Sequence, residues 1–357
     1  MDQEICYLGK IGQIQVIRRI KLKKEVSREE RYSRQLLLKE WDQEKLEKSC
    51  VLVVGLGALG SVVALNLAMM GVGKLILVDF DTVELSNLSK QLLYREEDLG
   101  KPKAEIAAKR LHEINSEIEV VALDKDVRKI NKSYFEESHV VVDGLDTFEV
   151  RRWLNSMCVD LAKPLVHGGF YGWYGNVQVV IPFKTACLEC QPLIPPEKLQ
   201  KMCTPPGNIR KRLRPENEEK IPTVASIATV IGGIQSQEVL KILLEIPNIL
   251  ENYVFYDGIS QTLTKLRLEK NPECVVCSDK YRIKGVEYIL EKQETIRQLK
   301  NRLIMSYGLA KPDIIVRDKM ILDENVKISD LGLKTGDLIF VNDERLAKPL
   351  KLKVKIM

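Results

Sequence analysis

The chain has 357 residues, 45% of them hydrophobic and 29% charged, and its 55 basic and 50 acidic side chains leave a net charge of +5. That length and apolar content exclude disorder and a collagen-like rod and predict two or three folded units. The weak charge imbalance argues for no nucleic-acid partner. The lack of any apolar run near the ~18 residues of a membrane span, and of a signal peptide's apolar core, predicts a soluble cytoplasmic protein without a membrane partner.

Residues 1–28 form a basic extension in which Ile11, Ile14, Val16 and Ile20 alternate with cations such as Arg18, Arg19 and Lys21. One or two edge strands suit it, and no chemistry is assigned to it. A β-branched run at residues 51–54, a helix-compatible stretch at 59–70 and a second apolar run at 75–78 make a βαβ unit. Further strands are expected at 120–123, 140–142, 165–166 and 177–181, with helical stretches between several of them. The fold class is therefore α/β, a Rossmann-like domain with a mostly parallel sheet covered on both faces.

Prolines 192, 195, 196, 205, 206 and 215 mark an inserted loop. An apolar helix follows at 224–244 and strand character at 253–268. The last segment differs: Thr295 can cap a helix with Ile296, Leu299, Leu303 and Ile304 on one face, Gly308 can end it, and strands fit 314–316, 321–322, 338–341 and 350–356. One helix on a small mixed sheet is a β-grasp. The expected organisation is an extension at 1–28, a nucleotide-binding domain in two parts at 29–183 and 222–285, an inserted loop at 184–221, and a β-grasp at 286–357.

Gly55-Leu56-Gly57-Ala58-Leu59-Gly60 joins the first strand to its helix, where glycines permit a tight turn and a close backbone approach to phosphate. Asp79 ends the next strand, placed to bind ribose. Alone, this fingerprint fits a nicotinamide or flavin enzyme equally well. The segment from Asp79 through Asp81 and Asn87 to Lys90 and Gln91, followed by Lys101 and Lys103, adds acids, amides and cations at the sheet's carboxyl edge. A triphosphate undergoing chemistry needs such cations, and a carboxylate for magnesium. Asp143-Gly144-Leu145-Asp146 supplies carboxylates at another strand's carboxyl end.

Cys187-Leu188-Glu189-Cys190 and Cys274-Val275-Val276-Cys277 have the spacing of a four-thiolate zinc site, structural because every ligand position is filled. A disulfide or redox pair is the competing reading. Cys203 stands alone in a loop rich in lysine and arginine, where positive charge favours a nucleophilic thiolate, although an inert loop cysteine fits the same residues. Cys6, Cys50, Cys158, His112, His139 and His167 are read as structural, with His167 set apart from the other histidines by the Gly168-Gly169 pair that follows it.

Together these residues resemble the superfamily of ubiquitin-activating enzymes and sulfur-carrier adenylyltransferases. The motifs that carry the resemblance are Arg31-Tyr32-Ser33-Arg34-Gln35, the glycine loop, Asp79-x-Asp81-x-Val83-x-x-Ser86-Asn87-Leu88-x-Lys90-Gln91, Gly100-x-Pro102-Lys103, Asp143-x-x-Asp146 with Arg151 and Asn155, and both cysteine pairs. The resemblance implies ATP, Mg2+ and a structural Zn2+, with Asp79 on the ribose, Asn87, Lys90, Gln91 and Lys103 on the phosphates, and Asp146 on magnesium. It implies that Arg31 or Arg34 reaches into the neighbouring subunit of a homodimer. The chain departs from the family at Lys90, where arginine is usual, and at Thr147, where asparagine or serine is usual; lysine keeps the charge but loses the two-pronged guanidinium.

The Cys203-Thr204 step resembles the thioester cysteine of ubiquitin-like-protein activating enzymes, and residues 221–226 resemble the re-entry into their adenylation domain, although the large cysteine domain of the eukaryotic enzymes is missing. Residues 328–337 resemble the ubiquitin-fold domain that recruits a conjugating enzyme, and the last residues, Lys353-Val354-Lys355-Ile356-Met357, lack the Gly-Gly of a carrier. The expected activity is ATP-dependent adenylation of a ubiquitin-like protein ending in Gly-Gly, thioester formation on Cys203, and transfer to a conjugating enzyme docked on residues 286–357. The alternatives are a sulfur-carrier adenylyltransferase without the thioester step and a non-catalytic scaffold.

Overall fold

The computed structural model describes residues 9–11, 14–17, 28–191, 222–247, 252–279, 285–317, 319–343 and 346–357. In chain order the elements are β1 (Gly9–Ile11), β2 (Ile14–Ile17), α1 (Arg28–Tyr32), α2 (Gln43–Glu47), β3 (Cys50–Val54), α3 (Ala58–Met69), β4 (Lys74–Val78), α4 (Lys103–Ile114), β5 (Glu119–Leu123), α5 (Ser133–Glu137), β6 (Val140–Asp143) and α6 (Phe148–Asp160). They continue with β7 (Leu165–Tyr171), β8 (Tyr174–Val180), α7 (Ala225–Leu243), β9 (Tyr253–Asp257), β10 (Thr262–Leu266), β11 (Val286–Leu290), α8 (Ile296–Tyr307), β12 (Asp313–Val316), β13 (Lys319–Met320), β14 (Leu338–Asn342) and β15 (Leu350–Ile356). The chain divides into two compact units, one of the described residues in Met1–Asp146, Lys163–Val180 and Cys203–Arg267, the other of those in Thr147–Ala162, Ile181–Met202 and Leu268–Met357.

The first unit holds a ten-stranded sheet in the order β1-β2-β5-β4-β3-β6-β7-β8-β9-β10. Its five central strands run parallel, and antiparallel strands extend it on both sides. β3 reads Cys-Val-Leu-Val-Val and is buried throughout, the pattern of a central strand covered on both faces. The basic extension supplies β1 and β2, with β2 added to β5 as expected of edge strands. Val51, Val53, Leu75 and Leu77 share a core with Leu59, Val63 and Leu67 of α3 and Ile231 and Val239 of α7. Each such fully buried side chain contributes about 1.5–3 kcal/mol. α4 buries Ala104, Ala107, Ala108 and Leu111, the stripe expected of a helix packed on one side.

Register decides where the site lies. Val54 pairs with both Val78 and Asp143, so the carboxyl ends of β3, β4 and β6 line up, while β7, whose His167 pairs with Asp143, runs on past them to Tyr171. The glycine turn, Asp79 and residues 144–146 all leave the sheet at that line, where open α/β sheets bind ligands.

The second unit is built on a five-stranded sheet in the order β11-β15-β14-β12-β13, with β11 parallel to β15 and the other pairs antiparallel. Thr295 caps α8 by accepting from the Gln298 N–H, worth about 1 kcal/mol, and Gly308 ends it in the left-handed region. Ile296, Leu299 and Leu303 bury against Ile314, Ile339 and Leu352. β11 is a strand that the apolar pattern did not reveal: Val286 and Leu290 bury and Tyr288 packs partly on the core, but the exposed Ile289 obscures the alternation. β13 lies at Lys319–Met320 rather than 321–322: the hairpin pairs Val316 with Lys319, and Ile321 instead packs against the core. Residues 147–162 belong with this second unit, tied to it where Arg152 and Asn155 of α6 bind the turn between Cys187 and Cys190.

Candidate functional site

The turn between β3 and α3 is shaped by its glycines. Gly55 has φ +84°, and a Cβ there would lie 2.8 Å from the Gly144 carbonyl; a Cβ on Gly60 would fall 1.8 Å from the Gly55 oxygen. Gly57 is different. It caps α3, and the nearest atom to a Cβ on it would be Gln91 Nε2 at 3.8 Å, so the helix N-terminus opens onto free space suited to a phosphate. The buried Tyr94 hydroxyl donates to the Leu56 carbonyl at 3.0 Å and braces the turn from beneath.

Asp79 folds back onto that turn. One carboxylate oxygen accepts from the Leu56 N–H at 2.6 Å and the other from the Asp81 N–H at 2.8 Å. Burial raises its pKa to about 6, with Lys103 and the two backbone donors opposing the rise and Asp81 adding to it. Lys103 is buried and donates to Asp81 at 3.1 Å. Burial disfavours its charge, but Asp79 and then Asp81 outweigh burial, with a further contribution from Asp146, so it is held firmly as a cation. Asp146 itself is exposed at the edge of this cluster.

Asn87 is buried and uses its Oδ1 to accept from the Glu84 N–H at 3.0 Å, closing its own turn. Lys90 Nζ donates to Thr223 Oγ1 at 3.2 Å, which brings the segment before α7 to the site. Gln91 is buried with its Oε1 unpartnered, a polar atom at the open side of Gly57 that a bound donor would satisfy. These residues fit an ATP site, and the exposed Asp146 fits magnesium, which commonly takes one or two carboxylates together with phosphate oxygens.

Two expected residues lie elsewhere. Arg31 donates to the Ile114 carbonyl at 3.1 Å, at the end of α4 opposite Lys103, about 16 Å away by helical rise, and Arg34 is exposed beside the turn Gln35–Leu37. Cys203, Cys6 and residues 192–221 of the inserted loop lie outside the described residues.

In the second unit all four paired cysteines are buried, and their sulfurs lie within 4.8 Å of one another. Cys187 and Cys274 are 3.6 Å apart, Cys190 and Cys277 3.3 Å, and Cys187 and Cys190 3.9 Å. A tetrahedral Zn–S bond of about 2.3 Å places sulfurs about 3.8 Å apart, whereas a disulfide needs about 2.05 Å, so the arrangement fits a metal and not a disulfide. Among the other cysteines, burial raises the Cys50 thiol to about 12, which leaves it inert.

Sequence reasoning named Asp143 and Asn155 but missed the partners with which they brace both sites, and missed Gln235 and Arg152 altogether. Asp143, fully buried, pairs with His167 through a 2.7 Å contact between Oδ2 and Nδ1. Gln235 of α7 donates to the Asp143 carbonyl at 3.1 Å. Arg152 of α6 binds Glu189 between the first two cysteines, and Asn155 accepts from the Leu188 N–H at 3.2 Å. The signals in the chain were the Asp143-x-x-Asp146 and Asn155 motif residues and His167 beside two glycines; the pairings themselves, between residues 24 to 92 positions apart, leave no local pattern.

A model of the ThiF family matches residues 32–276. The chain is 37% identical to the adenylyltransferase and sulfurtransferase MOCS3 of Aedes aegypti over 70% of this chain, but spans about half, 55%, of that relative's length. It is 25% identical to the NEDD8-activating enzyme E1 catalytic subunit of Caenorhabditis elegans, covering 88% of this chain and 91% of that one. The crystal structure of Escherichia coli MccB with ATP superposes with a TM-score of 0.57 at 26% identity, covering 70% of this chain and 74% of the other. Among the described residues no helix is long and apolar enough to cross a membrane.

Proposed function

The chain belongs to the ThiF family, and we propose that it activates a ubiquitin-like protein ending in Gly-Gly, first as an acyl adenylate and then as a thioester on Cys203. The observation that carries the first step is the cluster of Asp79, Asp81, Lys103 and Asp146, joined to the glycine turn through the Leu56 N–H, a concentration of charge that a nicotinamide does not need. A carrier carboxylate oxygen attacks the α-phosphorus of ATP, the bond to the bridging oxygen breaks, and pyrophosphate leaves. Asp79 holds the ribose hydroxyls, the α3 N-terminus with Asn87, Lys90, Gln91 and Lys103 holds the phosphates, and Asp146 binds magnesium. Magnesium, when bound, offsets the charge that builds on the phosphates. Positioning and electrostatics suffice for this step.

In the second step the Cys203 thiolate attacks the acyl carbon and AMP departs. Likeness to the NEDD8-activating catalytic subunit over most of both chains supports this step and the conjugating-enzyme site on residues 286–357. So does the five-stranded sheet that shares its core with α8, an arrangement that supports reading residues 286–357 as a β-grasp. The position of Arg31 and Arg34, away from their own phosphate cluster, supports a homodimer in which they complete the partner's site. The cysteine cluster is a structural zinc site. Likeness to MOCS3 supports the second reading, a sulfur-carrier adenylyltransferase that stops at the adenylate.

Magnesium-dependent exchange of pyrophosphate into ATP, driven by a Gly-Gly-ending carrier, tests adenylation. Non-reducing intact mass spectrometry then separates the two readings: a thiol-labile carrier adduct in wild type and none in Cys203→Ala establishes the thioester, whereas exchange without any adduct selects the sulfur-carrier reading.

A further inference from the structure

Asp143 ends β6 with its carboxylate fully buried. Oδ2 meets His167 Nδ1 at 2.7 Å, Oδ1 accepts from the Leu145 N–H at 3.0 Å, and the backbone carbonyl accepts from Gln235 Nε2 at 3.1 Å. Gln235 also donates to the Val166 carbonyl at 3.2 Å, so α7 clamps the end of β6 to the beginning of β7. A buried carboxylate is tolerated only with such partners, and losing one leaves a costly orphan.

The residues that follow are wedged against the glycine turn. The Gly144 N–H donates to the Val54 carbonyl at 2.8 Å, and a Cβ on Gly144 would lie 2.7 Å from the Gly55 oxygen and 2.9 Å from the Gly60 nitrogen. The path from Gly144 to Asp146 is therefore set on one side by the glycine turn and on the other by Asp143. The orientation of Asp143 is in turn set by His167, its partner across the parallel ladder. His167 lies on β7, the strand next to the one that leads to Asp146.

We propose that His167, acting through Asp143, is a positioning residue for magnesium triphosphate: the pair holds residues 144–146 so that the Asp146 carboxylate stays at the mouth of the nucleotide site. This rests on the adenylation reading. It predicts that the pair governs Mg-ATP affinity, which a histidine that only fills space does not. The side chains that separate these roles are asparagine, whose Nδ2 stands where His Nδ1 stands and donates to Asp143, and leucine, which fills the space and donates nothing.

The test uses the full chain without carrier. Isothermal titration measures binding of Mg-ATP and of ATP with EDTA, and hydrogen exchange follows the amides of residues 144–146. His167→Leu is expected to weaken Mg-ATP binding about 10- to 100-fold, the loss typical of one hydrogen bond to a charged group, with faster exchange at 144–146 and a much smaller effect on metal-free ATP. His167→Asn is expected to stay within about threefold of wild type on the same hydrogen-bond argument. Should the leucine variant fail to fold, His167→Gln, whose amide reaches one bond too far, provides the same contrast with asparagine. Equal loss with and without magnesium, or unaltered Mg-ATP binding in the leucine variant, overturns the proposal. Wild type that binds no Mg-ATP overturns the adenylation reading and this proposal with it.

Discussion

Arg152 grips Glu189 with two nitrogens at once, Nε to Oε1 at 2.5 Å and Nη2 to Oε2 at 2.6 Å, while Nη1 donates to the Gly308 carbonyl at 2.6 Å. One guanidinium thus joins α6, the turn between the first two cysteines and the end of α8. Burial alone favours a neutral arginine, but Glu189 outweighs it and raises the pKa, so the pair is ionic. Both side chains are largely buried, at 14% and 8% exposure, so removing one charge strands the other. Arg152→Leu is expected to lower unfolding stability by about 3–5 kcal/mol and to speed zinc release to a chromophoric chelator. Glu189→Gln keeps the shape and part of the hydrogen bonding and should cost less. Equal urea midpoints for wild type and Arg152→Leu refute this account of the second unit.

The glycine turn makes a sharper prediction because its glycines differ in kind. Gly60→Ala drives a methyl into the Gly55 carbonyl, 1.8 Å from where its Cβ must stand, so the backbone of the turn has to move. The expected loss is about 3 kcal/mol or more, enough to appear as poor soluble yield and a lowered Tm. Gly57→Ala meets nothing closer than 3.8 Å and should keep its Tm within about 2 °C of wild type, while ATP binding weakens roughly tenfold because the methyl occupies phosphate space. Thermal melts with and without ATP distinguish a turn that fails to fold from one that fails to bind.

What the chain discloses by itself follows from distance along it. The β3–α3–β4 unit, the cysteine pairs and the charged run from Asp79 to Lys103 are local patterns, and the fold bears out the unit and brings all four cysteines together. The pairings Asp143 with His167, Lys90 with Thr223 and Arg152 with Glu189 join residues 24, 133 and 37 positions apart, which no periodicity records. β11 escaped for another reason: its burial alternates, with Val286, Tyr288 and Leu290 inward, but Ile289 on the outward face hides that alternation in the sequence. The bond from the Glu84 N–H to Asn87 Oδ1, which closes the turn carrying Asn87, left no mark in the sequence pattern either.

Asp79 predicts opposite pH trends for stability and binding. Its pKa is raised to about 6 on folding, so the folded chain holds this proton more tightly than the unfolded one. The contribution to stability is therefore full below the ordinary carboxylate range and is lost as pH rises through about 6. Ribose hydroxyls donate better to the carboxylate than to the acid, so ATP affinity should rise over the same interval. Asp79→Asn is expected to flatten both trends between pH 5 and 7.5, with ATP binding weak throughout. Parallel melts and ATP titrations across that range check it; a wild-type affinity that is flat between pH 5 and 7 removes Asp79 from the ribose.

Lys90 Nζ reaches Thr223 Oγ1 at 3.2 Å, and a lysine at this position binds phosphate differently from an arginine. A single ammonium donates to one oxygen at a time, whereas a guanidinium spans two oxygens of a phosphate. Lys90→Ala removes the cation from a half-buried position without leaving a buried charge behind, so stability should change little. Its KM for ATP in pyrophosphate exchange is expected to rise about 10- to 100-fold, the cost of one charge-assisted hydrogen bond. Lys90→Arg restores the charge and adds the second prong, and it should keep KM within about threefold of wild type on that geometry. Thr223→Val tests the other partner: with the hydroxyl gone, Lys90 loses its tether but not its charge, so KM should move less than in Lys90→Ala. If Lys90→Ala exchanges pyrophosphate as wild type does, Lys90 serves to seat the segment before α7 and the phosphates are held by Lys103 and the helix N-terminus without it.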